Sequence, residues 1–394
     1  MKVKFKVIVI LFVILLLALG IFLYMRCYKE DIKFADDLSF EVYSDVRVKD
    51  LVLSDFKVYD KKVDTSTTGK KTLSFTYQNR YGYKQTGKIS IGVVDTEKPQ
   101  IVLNNEISMV RGSDIQLKDR IMCIDNYDDE VAIKIEGDYD MGSVGRYALS
   151  IHASDKSGNV ASQNFTLNVY ERTQGGGAGK ADTDDDYTLF SDVISKYKND
   201  ETMVGADISA WQKDVNFDAM KDAGIDFVFV RAAMQSNKGD DLSLDAYFDR
   251  NMKGANEAGI DAGIYVFSKA ANKEEAIRQA KFILKKVKKY EVKLPIVFDW
   301  ENWSDYNTYH LSRYHLNEMA KAFIKTVNAA GYEGMIYGSD DYLKWAFDGK
   351  YDNVWVARYG KVPSYEGFDY WQVCDDGKVP GIDTNADIDV YYKK

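Results

Sequence analysis

From residue 204 onward the chain alternates short apolar runs with stretches of helical periodicity, and no other feature constrains its fold as tightly. The runs fall at 204–208, 227–232, 262–267, 294–299, 334–337, 354–358, 370–373 and 386–391. Helical spacing fills the gaps at 216–223, 243–258, 273–290 and 312–330, weakens at 340–346, and then fades. Eight strands with helices concentrated in the first half predict a TIM-like α/β barrel with fewer than eight helices, over 187–394. In such barrels functional side chains gather where strands end, on the C-terminal face.

The fourth run reads LPIVFDWE, residues 294–301. Side chains alternate along a strand, so Asp299 and Glu301 point one way and Trp300 the other. Two neighbouring carboxyl groups do not both ionise easily, so their pKa values split. Glycoside hydrolysis uses such a pair, one neutral acid for the leaving oxygen and one anion for the developing cation. The plainer alternative is a strand end bearing two solvated acids. Asp207 closes the first run in the same manner.

The N-terminus is of another kind. The run 7–25 carries no charge and is long enough to cross the ~30 Å hydrocarbon core of a bilayer as a helix. Lys2, Lys4 and Lys6 precede it, while Arg26 and Lys29 after it are soon offset by Glu30 and Asp31. That bias predicts a single-pass anchor in the cell membrane, with residues 1–6 cytoplasmic and the rest outside. The alternative is a signal peptide cleaved near Ala18 and Gly20, giving a secreted protein; the apolar residues that continue past Gly20 favour the anchor.

Residues 31–170 read as all-β, with alternating runs such as TLSFTY (72–77), KISIGVV (88–94), RYALSIHA (146–153) and QNFTLNVY (163–170) between turn residues. The break at DTEKPQ (95–100) separates a module at 31–96 from a second at 98–170. Asp125, Asp128, Asp129 and Glu130 offer oxygens for calcium, but their spacing does not match a helix-loop-helix calcium loop, and the segment reads as a solvated acidic loop. Residues 171–186, ERTQGGGAGKADTDDD, hold no apolar residue larger than Ala and read as a flexible linker. A short amphipathic helix is expected at 187–198. The modules themselves read as spacers carrying the C-terminal domain away from the membrane.

Composition narrows the chemistry. A net charge of -9 argues against nucleic acid as a partner. Three histidines and three widely spaced cysteines leave no support for a His-based metal site, a zinc motif, a Ser-His-Asp triad or a disulfide framework. No Gly-rich phosphate loop opens a helix, so nucleotide use has no support, and glycoside hydrolysis by paired carboxyl groups needs neither metal nor organic cofactor.

Several motifs in the C-terminal region occur in the order seen in one family. GADISAWQ (205–212), FVRAA (229–233), GIYVFS (263–268), VFDWE (297–301), VWVARY (354–359), YWQV (370–373) and KVPGIDTNADIDVYY (378–392) resemble glycoside hydrolase family 25, the Chalaropsis-type lysozymes or N-acetylmuramidases. The second β module is similar to bacterial immunoglobulin-like modules, and the first to a degenerate copy. The resemblance implies a barrel with fewer than eight helices that cleaves the β-1,4 bond from N-acetylmuramic acid to N-acetylglucosamine in peptidoglycan. It implies Glu301 as general acid/base and Asp299 as electrostatic or substrate-assisting partner. It places Asp207 and Asp387 on the same site, and Tyr265 near the scissile sugar. Asp389 stands where the family often has Asn.

Beside these, Trp211, Tyr265, Trp303, Tyr337 and Trp371 are candidates to stack on sugar faces, with core packing the competing role for each. Arg231 and Arg358 are candidates to meet the site acids or an anionic peptide stem, with structural ion pairs as the competing role. Two functions follow: a membrane-anchored peptidoglycan hydrolase, or a catalytically weak wall-binding or scaffolding protein of an envelope-spanning complex with an unnamed partner.

Overall fold

A computed structural model describes residues 2–103, 105–171, 187–301, 306–347 and 350–393. The expected linker therefore lies, save Glu171, outside the described residues, as does Trp303. The chain divides into two compact units, Met1–Glu97 and Lys98–Lys394.

The first unit begins with helix α1 (Lys2–Cys27), uncharged from Val7 to Met25 and unburied by the rest of the chain. Its last turn is tied to the β module that follows. The Asn79 side-chain amide donates to the carbonyls of Met25 and Tyr28, satisfying acceptors that a helix end leaves open. Arg80 and Glu30 pair beside them. The module is one four-stranded sheet whose centre is the hairpin Gly69–Gln78 and Lys84–Val94. Phe75, Tyr77, Ile89, Ile91 and Val93 alternate onto its buried face.

In the second unit, residues 98–170 form a four-stranded sheet around the hairpin Gly145–Ser154 and Val160–Tyr170, and a two-stranded pair of Gln100–Val102 with Met122–Ile124. The acidic loop is less solvated than its composition suggests. Asp125 and Asp128 are buried, because Asp125 accepts the backbone N–H groups of Tyr127 and Asp128, and Asp128 accepts that of Lys156. Asp129 pairs with Lys156, and Glu130 faces His310.

The remainder is a closed eight-stranded barrel. Its strands are β1 (Thr202–Ile208), β2 (Phe227–Met234), β3 (Asp261–Phe267), β4 (Ile296–Asp299), β5 (Gly334–Ser339), β6 (Val354–Ala357), β7 (Tyr370–Lys378) and β8 (Ala386–Tyr392). β1 to β7 run parallel to their neighbours, and β8 lies antiparallel between β7 and β1 and closes the ring. Crossover helices follow β1 through β5, at Phe217–Asp222, Phe248–Glu257, Lys273–Lys286, Arg313–Asn328 and Asp340–Trp345; among the described residues none follows β6 or β7. The amphipathic segment expected at 187–198 is a helix at Phe190–Tyr197, preceded by Thr188–Leu189, which pairs with the far end of β7.

Side-chain alternation sorts two layers. Val204, Ala206, Ile208, Ile296, Phe298, Trp300 and Val390 face out under the helices. Phe227, Phe229, Val297, Met335, Tyr337, Trp355 and Tyr370 fill the interior. Large interior rings require small neighbours on adjacent strands. A Cβ on Gly205 would stand 2.5 Å from the Phe227 ring, and one on Gly263 would stand 2.4 Å from the Phe229 ring. Both pairs sit in register across the ladder. Gly263→Ala is therefore expected to cost about 1–3 kcal/mol by overpacking. Urea unfolding checks this; an unchanged midpoint would mean that the ring moves aside without strain.

Candidate active site

β4 ends at Asp299, and its alternation delivers the pair as its spacing requires. Asp299 and Glu301 are hydrogen-bonded to each other on the interior side, while Trp300 is buried on the outer side. Asp299 is only 3% exposed, whereas Glu301 opens to solvent at the mouth. Closure of the barrel by an antiparallel strand brings in two more acids. Because β8 runs against β1, its first residues lie at the end where β1 finishes, and Asp387 stands opposite Asp207 in the ladder.

Gln372 of β7 joins them. Its Nε2 donates to Asp207 Oδ2 at 2.8 Å and to Asp387 Oδ2 at 2.9 Å. Its Oε1 accepts the hydroxyls of Tyr337 at 2.8 Å and Tyr359 at 3.0 Å. Gln372 and Tyr359 were not singled out from the sequence. The available signal was alternation within YWQV: Trp371 points outward, so Tyr370 and Gln372 must point in.

Beneath this layer the barrel floor is aromatic. Trp355 stacks on Phe229 with ring centroids 4.6 Å apart and lies against Tyr337 and Tyr265. Its Nε1 donates to Asp389 Oδ1 at 2.9 Å, and Asp389 is fully buried.

The electrostatics follow from acids set on an apolar floor. Burial, then the charge on Glu301, raises Asp299 well above the usual carboxylate range. Burial raises Glu301 as well, but the hydrogen bond from Asp299 favours its anion. Both members of the pair are thus raised by burial, and together they hold a proton above the ordinary carboxylate range. Burial, then the charge on Asp389, raises Asp207; burial, then Asp207, pushes Asp387 up to about 9. Asp389 is raised by burial and by Asp387.

The other expected residues divide. Tyr265 lies among the acids, its hydroxyl raised by burial and by Asp207. Tyr337 is buried and acts through its hydroxyl on Gln372, which excludes a stacking role for its ring. Trp211, in the loop after β1, is 74% exposed and free to meet a ligand. Trp371 is a correction: it is 1% exposed on the outer face, edge-on to Tyr197, with its indole N–H on the Arg358 carbonyl. The arginines are corrections in part. Arg231 Nε is committed to buried Asp245 at 2.8 Å, and acts on Asp207 and Asp299 only through its field. Arg358 is held by Asp340 and Ser364, away from the four acids.

Carboxyl groups whose folded pKa is raised bind protons more tightly in the native state. Their contribution to stability is complete below about pH 4 and is lost as pH rises through the raised values, for Asp387 about 9. Thermal stability should therefore fall between pH 5 and pH 9. Asp389→Asn keeps an acceptor for Trp355 and removes one ionisation, so it should raise the Tm at pH 8 by ~2–4 °C and flatten the slope. Calorimetry at both pH values decides; a lower Tm at both would mean that Asp389 is held as a stabilising anion.

Residues 206–382 match the model of the family described as Glycosyl hydrolases family 25. An uncharacterized protein of Escherichia coli K12, YegX, is 29% identical over 200 residues, covering 48% of this chain and 70% of its own. Lysozyme M1 of Streptomyces globisporus is 27% identical over 198 residues, covering 46% and 65%. Among solved structures, the spore cortex lytic enzyme SleM of Clostridium perfringens is 21% identical with a TM-score of 0.42, covering 49% of this chain and 68% of that one.

Proposed function

We propose, from the premise that residues 206–382 are a family 25 glycosyl hydrolase domain of the lysozyme type, that the chain hydrolyses peptidoglycan glycan strands outside the cytoplasm. The bond cleaved is the β-1,4 link from N-acetylmuramic acid to N-acetylglucosamine, as in the family that its motifs resemble. The observation that carries this reading is the hydrogen-bonded pair of raised carboxyl groups, Asp299 and Glu301, at the mouth of a closed barrel.

The chemistry follows from where the proton is needed. The pair holds one proton, and the reacting state is the one with Glu301 neutral and Asp299 ionised. Glu301 then gives that proton to the leaving oxygen. The Asp299 anion faces the positive charge that develops on the sugar ring. Asp299 Oδ1 is buried and has no protein donor, so no hydrogen bond from the protein offsets the charge on that oxygen. Gln372 holds Asp207 and Asp387 as the adjoining wall, and exposed Trp211 offers a face to an outer sugar.

Helix α1, with mean hydropathy 3.3 in its most apolar window, supports anchorage in the membrane. We read the β modules as immunoglobulin-like, on the support of small sheets whose faces bury alternating residues. In the unit 98–394, Met122 and Ile124 belong to the barrel's own core, which argues against that module as a free spacer.

Detergent-solubilised full chain should release reducing ends from peptidoglycan, and mass analysis should find them on muramic acid. Glu301→Gln should lower kcat by about 10²–10⁴-fold while strand binding persists. Equal release by both proteins would remove Glu301 from the mechanism; binding without release by the wild type on several wall types would favour the scaffolding role. The rate should also depend on pH with a defined sign. The pair must hold one proton, so activity persists above the ordinary carboxylate range of about 4 and falls as pH rises through the pair's raised value. An alkaline limb already complete near pH 4 would contradict the shared proton.

A further inference from the structure

The strand Met122–Ile124 belongs to two cores at once. Cys123 points into the module's own interior, among Ile107, Leu149 and Phe165. Met122 and Ile124, on the opposite face, are buried in the outer layer of the barrel with Trp300, Tyr306, Tyr309 and Leu311. Ile124 is fully buried although it lies in a different module from everything on that side.

Polar contacts continue the seam. The helix Arg313–Asn328 begins with N–H groups that have no partner within the helix. The N–H of Arg313 donates to the carbonyl of Asp125 at 2.6 Å, and that of Tyr314 to the carbonyl of Asn126 at 3.3 Å. His315 N–H turns to Ser312 Oγ. The β module thus supplies two caps of a barrel helix. Just before it, His310 holds a left-handed backbone at φ 50 and faces Glu130 across 3.1 Å.

What this helix and its leading segment support is β4. Phe323 packs on Phe298, ring centroids 5.1 Å apart. Tyr306 and Tyr309 meet the Trp300 ring edge-on, at 6.2 and 5.2 Å. The Trp300 indole N–H is fixed on the Ala270 carbonyl at 3.0 Å. Trp300 is the residue between Asp299 and Glu301, and its outward side is the back of the candidate site.

We infer that the module at 98–170 is a positioning element of the catalytic unit, in which Ile124 and the carbonyls of Asp125 and Asn126 hold the 306–316 segment against Trp300 and so set the Asp299–Glu301 pair. Its kinetic consequence rests on the hydrolase reading above; its structural consequence does not. Ile124 touches no reacting atom. It acts through Tyr306, Tyr309, Leu311 and Trp300.

Ile124→Ala in the full chain removes this support. A comparison variant, Ile151→Ala, empties an equally buried position in the module's own core, away from the barrel. Steady-state hydrolysis and amide hydrogen exchange are measured on both at a temperature where each is folded. Ile124→Ala should lower kcat by roughly 10–100-fold, as expected when a reacting group is displaced by about an ångström, with KM within twofold. It should also strip exchange protection from the amides of Arg313 and Tyr314 and from 299–301. Ile124→Val should restore most of both, and Ile151→Ala should lower the melting temperature with kcat kept. An unchanged kcat in Ile124→Ala, or an equal loss of kcat in Ile151→Ala, overturns the inference in favour of plain stabilisation. If the wild type releases no reducing ends, the hydrolase reading fails, and exchange alone decides: unaltered protection at 299–301 in Ile124→Ala overturns the positioning role.

Discussion

Asp207, Asp299, Glu301, Asp387 and Asp389 are crowded into and just beneath one end of a closed barrel, and the rest of the site depends on that crowding. In water each would lose its proton near pH 4. Here the aromatic floor around Trp355 offers no charge in compensation, and every ionised member opposes the ionisation of the next. Holding a proton at neutral pH then needs no special residue. It is a property of five acids in one poorly solvated place, and only its distribution among them is left to local geometry.

That distribution depends on what the cations do not do. Arg231, on β2, and Arg358, just past β6, belong to the same barrel, yet each is committed elsewhere, to Asp245 and to Asp340. A guanidinium placed directly on Asp299 or Asp207 would lower the carboxyl by stabilising its anion and would discharge the proton the site needs. The group that does touch Asp207 and Asp387 is an amide, Gln372, which donates hydrogen bonds without bringing a full charge. With both tyrosine hydroxyls on its oxygen, its orientation is determined, so the amide can satisfy two acids while leaving the cluster protonated.

Much of this was legible in the chain, for physical reasons that also mark the limit. A period of two is rigid, so LPIVFDWE alone puts Asp299 with Glu301 and Trp300 behind them. The same rule applied to YWQV would have turned Trp371 out and Gln372 in. What alternation does not supply is the partner of an inward or outward side chain. Arg231 shares the inward parity of Asp207 and Asp299, and only the fold shows Asp245 reaching it first. How far burial raises the Asp299–Glu301 pair depends on depth within the barrel, which no spacing encodes. The acidic loop at 125–130 misled for a related reason: Asp125 is buried on its own turn's N–H groups and Asp128 on the N–H of Lys156, an arrangement that resembles a solvated loop in composition.

The seam between the second β module and the barrel was the least legible part. MCI at 122–124 is a short apolar run equally suited to an edge of a small sheet, and the N–H groups of Arg313 and Tyr314 are capped by backbone carbonyls, which have no residue signature. Yet the barrel needs something at that place. β4 must carry a charged pair on one face, so its packing can come only from the other, where Phe298 and Trp300 are its two large side chains. A tryptophan flanked by two acids cannot be held from the site side without obstructing substrate, and residues 306–312, which lead into the helix Arg313–Asn328 and carry the rings against Trp300, must themselves be held. A module whose strand faces two cores supplies rigidity to that segment without adding a side chain to the mouth, and the reactive pair stays open to solvent while its back is fixed.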